Sequence, residues 1–183
     1  MSTMTRTATV ALLLTCAVGN LGAQEGSNTD QAAYFRAVAE FYRMPRSEIS
    51  ILGDSQLPPD QIPVVLFIAR RAGVSPEAIL ALHRSGDSWV ELAKRYKVGA
   101  AQLHVPLSDA APAGPLADVY ARYRALPPDQ WGEIELTDRD ILTLVNVRVL
   151  AQTLKVSPAK VLAAANGGGT FVEVYARMIR GSG

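Results

Sequence analysis

Val74-Ser75-Pro76, followed by Gly86-Asp87-Ser88-Trp89-Val90-Glu91, returns near the end of the chain as Val156-Ser157-Pro158 and Gly168-Gly169-Thr170-Phe171-Val172-Glu173. The offset is 82 residues (156 − 74) and runs without a gap. Within it Leu80-Ala81 aligns with Leu162-Ala163, and Arg95 with Arg177. Repetition at a fixed spacing is a signature of architecture, because each unit is too small to bury its apolar face alone.

The repeated stretches also carry helix grammar. Ser75 is an N-cap residue with Pro76 in the first helical position, where a missing N–H costs nothing. Ser88 and Glu91 form a capping box, as do Thr170 and Glu173. Glu91/Arg95 and Glu173/Arg177 are i,i+4 pairs in the favourable order. Ile79, Leu80 and Leu82 mark one helix, and Trp89, Leu92, Ala93 and Tyr96 should face inward from the next.

Upstream, Ser27 and Asp30 read as a helix start after a polar lead at 24–29. Tyr34, Ala37, Val38, Phe41 and Tyr42 then share one face, and Pro45 stops the helix. Pro58-Pro59-Asp60 opens a helix carrying Ile62, Val65, Leu66 and Ala69, with Pro63 in its first turn and Gly73 at its end. A Pro/Ala/Gly-rich connector at 106–115 separates the copies. In the second, Tyr123-Arg124 answers Tyr42-Arg43 at an offset of 81 (123 − 42), and helices follow at about 138–153, 158–166 and 171–179. The expectation is a mainly α fold of two pseudo-symmetric helical repeats, 24–105 and 116–183, each of about four helices. Ile49–Leu52 and Trp131–Leu136 are candidate strand-like arms.

Residues 1–23 divide like a secretory signal. Arg6 supplies the positive start, Ala8 to Val18 an apolar run too short for a bilayer, and Leu21-Gly22-Ala23 a small-residue cleavage site. No acidic residue precedes Glu25. The only cysteine, Cys16, lies inside this segment, so a lipid anchor on Cys16 is the alternative to simple removal. Removing the signal takes Arg6 from 18 basic residues and leaves 17 against 17 acidic ones. That balance steers the chain towards neither nucleic acid nor anionic lipid, and no later apolar stretch is long enough for a stable membrane span.

The repeated Val74-Ser75-Pro76 and Gly86-Asp87-Ser88-Trp89-Val90-Glu91 segments resemble exported bacterial proteins of unknown function that carry paired helical units. The resemblance covers most of residues 34–179. It implies export and a duplicated helical form, and it transfers no catalytic residue.

Chemistry is sparse. Gly86 to Ala93 is similar to the first helix of a helix-turn-helix, but Gly99 to Leu103 leaves barely one turn for a groove-reading helix. No comparable helix follows the second copy. Asn166-Gly167-Gly168-Gly169-Thr170 precedes a helix N-terminus without a P-loop lysine, and reads as a tight turn. Glu133, Glu135, Asp138 and Asp140 invite a metal or hydrolase reading, although Thr137 to Asp140 fits a helix cap. His83 and His104 are isolated and read as surface or half-buried. Arg70-Arg71 with Lys94-Arg95-Lys97 could form a basic edge, better explained as a solvated helix face. No catalytic, cofactor-binding or metal-ligating residue is assigned, and no cofactor is implied.

The expected function is a non-enzymatic protein-binding or scaffolding module in the periplasm or outside the cell. Its partner would be an envelope protein or a second copy of the chain. The alternatives are a carboxylate-dependent envelope hydrolase and, further off, a DNA-binding protein.

Overall fold

The computed structural model describes residues 21–181. The expected signal lies outside them except for Leu21 to Ala23, and Cys16 lies outside them. Every regular element among the described residues is helical. They are α1 (Leu21–Tyr42), α2 (Arg46–Gly53), α3 (Ile62–Ala72), α4 (Pro76–Arg84), α5 (Trp89–Arg95), α6 (Ala100–Leu103), α7 (Ala117–Ala125), α8 (Asp138–Thr153), α9 (Pro158–Ala165) and α10 (Phe171–Arg180). Short 3-10 turns at Pro59–Gln61, Gly114–Leu116 and Pro128–Glu133 lead into or between them.

Helices α3 and α8 form the centre. Every residue from Ile62 to Ala69 is buried, and α8 buries Ile141, Leu144, Val145, Val147, Val149 and Leu150. Stretches buried on every face must be covered on every face. Here α1 and α9 pack on α8, α4 packs on α3, and α10 lies along α1. Thus α1, from the first sequence half, closes over helices of the second. Asn146, fully buried in α8, sits at the crossing point. It accepts from the Tyr34 hydroxyl and donates to the carbonyls of Asp60 at 2.8 Å and Leu142 at 2.9 Å. Both its polar atoms are bonded where an unpaired amide would be costly.

Local devices recur at the 82-residue spacing. The Ser75 hydroxyl caps Ala78 N and the Ser157 hydroxyl caps Lys160 N, both at 3.3 Å. Both capping boxes close: Ser88 N donates to Glu91 at 2.7 Å and Thr170 N to Glu173 at 2.8 Å. Gly73 (φ 68°) and Lys155 (φ 54°) hold the same left-handed place after α3 and α8, letting Val74 N reach Ala69 O and Val156 N reach Ala151 O.

Two further carboxylates cross between the sequence halves. Asp138, first residue of α8, accepts Val90 N at the start of α5, at 2.9 Å. Asp60, in the turn before α3, accepts Phe171 N at the start of α10, at 3.3 Å. Each half thus supplies a carboxylate to the start of a helix in the other, where exposed N–H groups and the helix dipole favour negative charge.

Several expectations are corrected. The first helix does not start at Ser27, since it already includes Leu21, the first described residue, and Asp30 is bound from outside by Arg180 at 2.9 and 3.1 Å. Ile49–Leu52 is not a strand: it belongs to α2, where Ile49 and Leu52 are buried and Ile51 is 67% exposed. Burial of the i and i+3 side chains overrides the β preference of isoleucine. Gly53, the last residue of α2, passes so close to α1 that a Cβ there would lie 2.6 Å from the Phe35 ring. Among the described residues Trp131–Leu136 has no partner strand; it is a 3-10 turn to Glu133 followed by extended backbone at Ile134.

The two i,i+4 ion pairs are not what Arg95 and Arg177 chiefly make. Both glutamates are turned into their capping boxes. Arg95 instead pairs with Asp87 at 3.0 Å, and Arg177 donates to Ala164 O and Gly168 O at 3.1 and 2.9 Å. The connector is anchored at its ends, where Val105 and Leu116 are buried, and at Ala113 within it, and a Cβ on Gly114 would approach Leu162 O to 3.0 Å.

Candidate functional groove

A concavity of about 720 Å³ lies between the α5–α6 corner and the Gly132–Leu136 segment. Its floor is apolar: Ala93, Val98, Ala100, Ile134 and Ile141 are buried, with half-buried Val90 and Leu136 at the edges. One wall carries Lys94 and Lys97, the other Glu133 and Glu135, all four exposed. Among the described residues none of these four forms an ion pair. Opposite charges therefore face across the groove without meeting.

The wall on the glutamate side is held rigidly from behind. Arg122 donates to Glu135 O at 2.6 Å. The Trp131 indole donates to Tyr123 O and Leu126 O, each at 3.0 Å, while the Tyr123 hydroxyl reaches Ala100 O at 2.7 Å. His104 sits among these rings, its centroid 4.7 Å from Tyr123 and 4.2 Å from Trp131. Burial, reinforced by nearby Arg148, holds its imidazole below the usual histidine value. Arg148 ties the end of α6 to α8 by donating to Gln102 O and His104 O at 3.1 and 2.7 Å, and its guanidinium lies over Phe67. His104 is thus a packing residue beside the groove. His83 lies elsewhere, stacked on Trp89 at 3.9 Å.

The four acids weighed together in sequence are not brought together. Asp138 is bound to Val90 N, and Asp140 accepts Thr137 N at 2.9 Å in a third capping box. Only Glu133 and Glu135 face the groove. Among the described residues no three His, Cys, Asp or Glu side chains are placed to share a metal ion. Sequence spacing suggested a cap at Thr137 but could not show that Asp138 caps a helix 48 residues earlier.

The other sequence candidates resolve into structural parts. In the Gly-rich loop Gly168 and Gly169 adopt φ of 76° and 89°, and a Cβ on Gly169 would collide with the Glu173 carboxylate. That carboxylate already occupies the Thr170 amide an anion would seek. The basic edge is dispersed: Arg71 lies over Phe67, Arg95 binds Asp87, and Lys94 and Lys97 line the groove. After α5, α6 has only four residues. A second cavity of about 700 Å³, between α1 and α2, is rimmed by Arg36 and Arg46.

No protein-family model, curated protein or solved structure matches the chain. Function has to be read from the groove itself.

Proposed function

We propose that the chain is a non-enzymatic binding or scaffolding module of the bacterial envelope. It is exported through residues 1–23 and built from two copies of one helical unit packed pseudo-symmetrically. The groove between the α5–α6 corner and Gly132–Leu136 is its binding surface. One observation carries the reading: Asp138 and Asp140 are committed to helix starts, while Glu133 and Glu135 oppose Lys94 and Lys97 over an apolar floor. Apolar floor with charged rim is the anatomy of a protein-binding patch. The reciprocal carboxylates and the matched caps support the duplicated architecture.

The hydrolase reading draws support from Glu133 and Glu135 alone, which share the groove without a hydrogen bond to each other. A groove-reading DNA helix would have to be the four-residue α6, which is too short for the role.

Two measurements test the proposal. Mass spectrometry of the chain from its native host should show a mature start at Gln24; a diacylated Cys16 or an intact Met1 overturns simple export. The purified chain should bind without turning over envelope polymers. Turnover lost in Glu133→Gln or Glu135→Gln would replace the binding reading with the hydrolase.

A further inference from the structure

We propose that the groove is an interface for a second copy of this chain. The Gly132–Leu136 wall of each copy would lie in the groove of the other about a two-fold axis. The inference rests on the binding-module reading and names its partner.

The charges point to self-pairing. A two-fold brings the glutamate wall of one copy against the lysine wall of its partner, and does so twice. Lys94 lies in the last turn of α5 and Lys97 just past its end, while Glu133 closes a 3-10 turn and Glu135 follows in extended chain, so each wall carries two like charges close together. Within one chain the same four charges make no ion pair among the described residues. A groove with both signs on separate walls suits neither an anion nor a cation, but it is complementary to itself.

The backbone points the same way. Ile134 is extended (φ −71°, ψ 114°), with its side chain buried, Glu135 exposed and Leu136 half-buried. Among the described residues the N–H groups of Glu135 and Leu136 and the carbonyl of Ile134 find no partner within the chain, although Arg122 holds Glu135 O. These free groups leave the Gly132–Leu136 wall open to contact by the lysine wall of a second copy, while the apolar floor covers the side chains beneath it.

Sedimentation equilibrium of the full chain gives the test. The wild type should approach twice its 19.6 kDa mass as concentration rises to some hundreds of micromolar, and should dissociate more readily at high salt. Glu133→Lys/Glu135→Lys should be monomeric, as should Lys94→Glu/Lys97→Glu. All four positions are exposed, and circular dichroism verifies that the variants fold. Mixing the two variants should restore the dimer, because each supplies the wall the other now complements. A wild type that stays monomeric, a dimer indifferent to both reversals, or a mixture that fails to reassociate overturns the proposal.

Hydrogen exchange on the wild type gives a second readout that needs no variant. The amides of Glu135 and Leu136 should become protected with rising concentration; fast exchange at every concentration overturns the pairing. A monomeric result sinks this inference alone. The binding reading fails separately, if the chain turns over an envelope substrate.

Discussion

Replacing Trp89 by alanine tests the packing logic most directly. The indole is 3% exposed, occupies the first position of α5, and carries the His83 ring stacked on it. A buried aromatic removes about 150–250 Å² from water, worth about 4–6 kcal/mol at 25 cal/mol per Å². Measured Trp or Phe to Ala losses run about 3–5 kcal/mol, because surroundings relax into part of the cavity. His83 is half-buried and can follow the missing ring inward, which places the expected loss at about 3–4 kcal/mol. With a urea m-value of about 2 kcal/mol/M, the midpoint should fall by about 1.5–2 M without a change in slope. Trp89→Phe should cost less than about 1.5 kcal/mol, since a ring remains in a site whose counterpart is the buried Phe171. Urea unfolding followed by circular dichroism decides. A midpoint shift below about 0.3 M for the alanine variant would mean that the ring is not part of the core.

Asp138→Ala should cost about 1–2 kcal/mol by uncapping α5, whereas Asp138→Asn, which keeps an acceptor for Val90 N, should cost clearly less in the same denaturation assay. Lys155→Gly should stabilise by about 1 kcal/mol by relieving a left-handed residue, and Gly73→Ala, at φ 68°, should destabilise by about as much. His104 has a folded pKa below its unfolded value near 6.5, chiefly through burial. The unfolded chain therefore binds the proton first, so this stability is complete above that pH and is lost as pH falls through the lower folded value. Thermal unfolding of His104→Phe against wild type should show a flatter acid limb; parallel limbs would remove His104 from the account.

What was legible in the sequence was local. Ser75-Pro76, Ser88 with Glu91, and Thr137 with Asp140 fix helix starts through partners three residues away, and all three close as read. Helix α8 runs over the very residues, 138–153, that its caps and apolar spacing indicate. What was not legible depended on distant neighbours. Ile49–Leu52 has the composition of a strand and becomes a helix because α1 offers a surface to Ile49 and Leu52. Glu91 and Arg95 are correctly spaced for each other, but the closer amide of Ser88 takes the carboxylate. The groove was hidden for the same reason. Its walls lie about forty residues apart in sequence, and its acidic wall was grouped with Asp138 and Asp140, which serve other ends.

The seating of α1 against α8 and α10 also has a consequence in time. Asp30 and Arg180, which bind each other, are 150 positions apart. During synthesis at about 5–20 residues per second, the apolar face of α1 waits on the order of ten seconds or more for its cover to be made. Tyr34 and Val38, sealed in the finished molecule, lack part of their cover throughout that interval. The ribosome therefore releases a chain whose first helix has been holding out for its last, and any holdase that protects this nascent protein has its earliest target there.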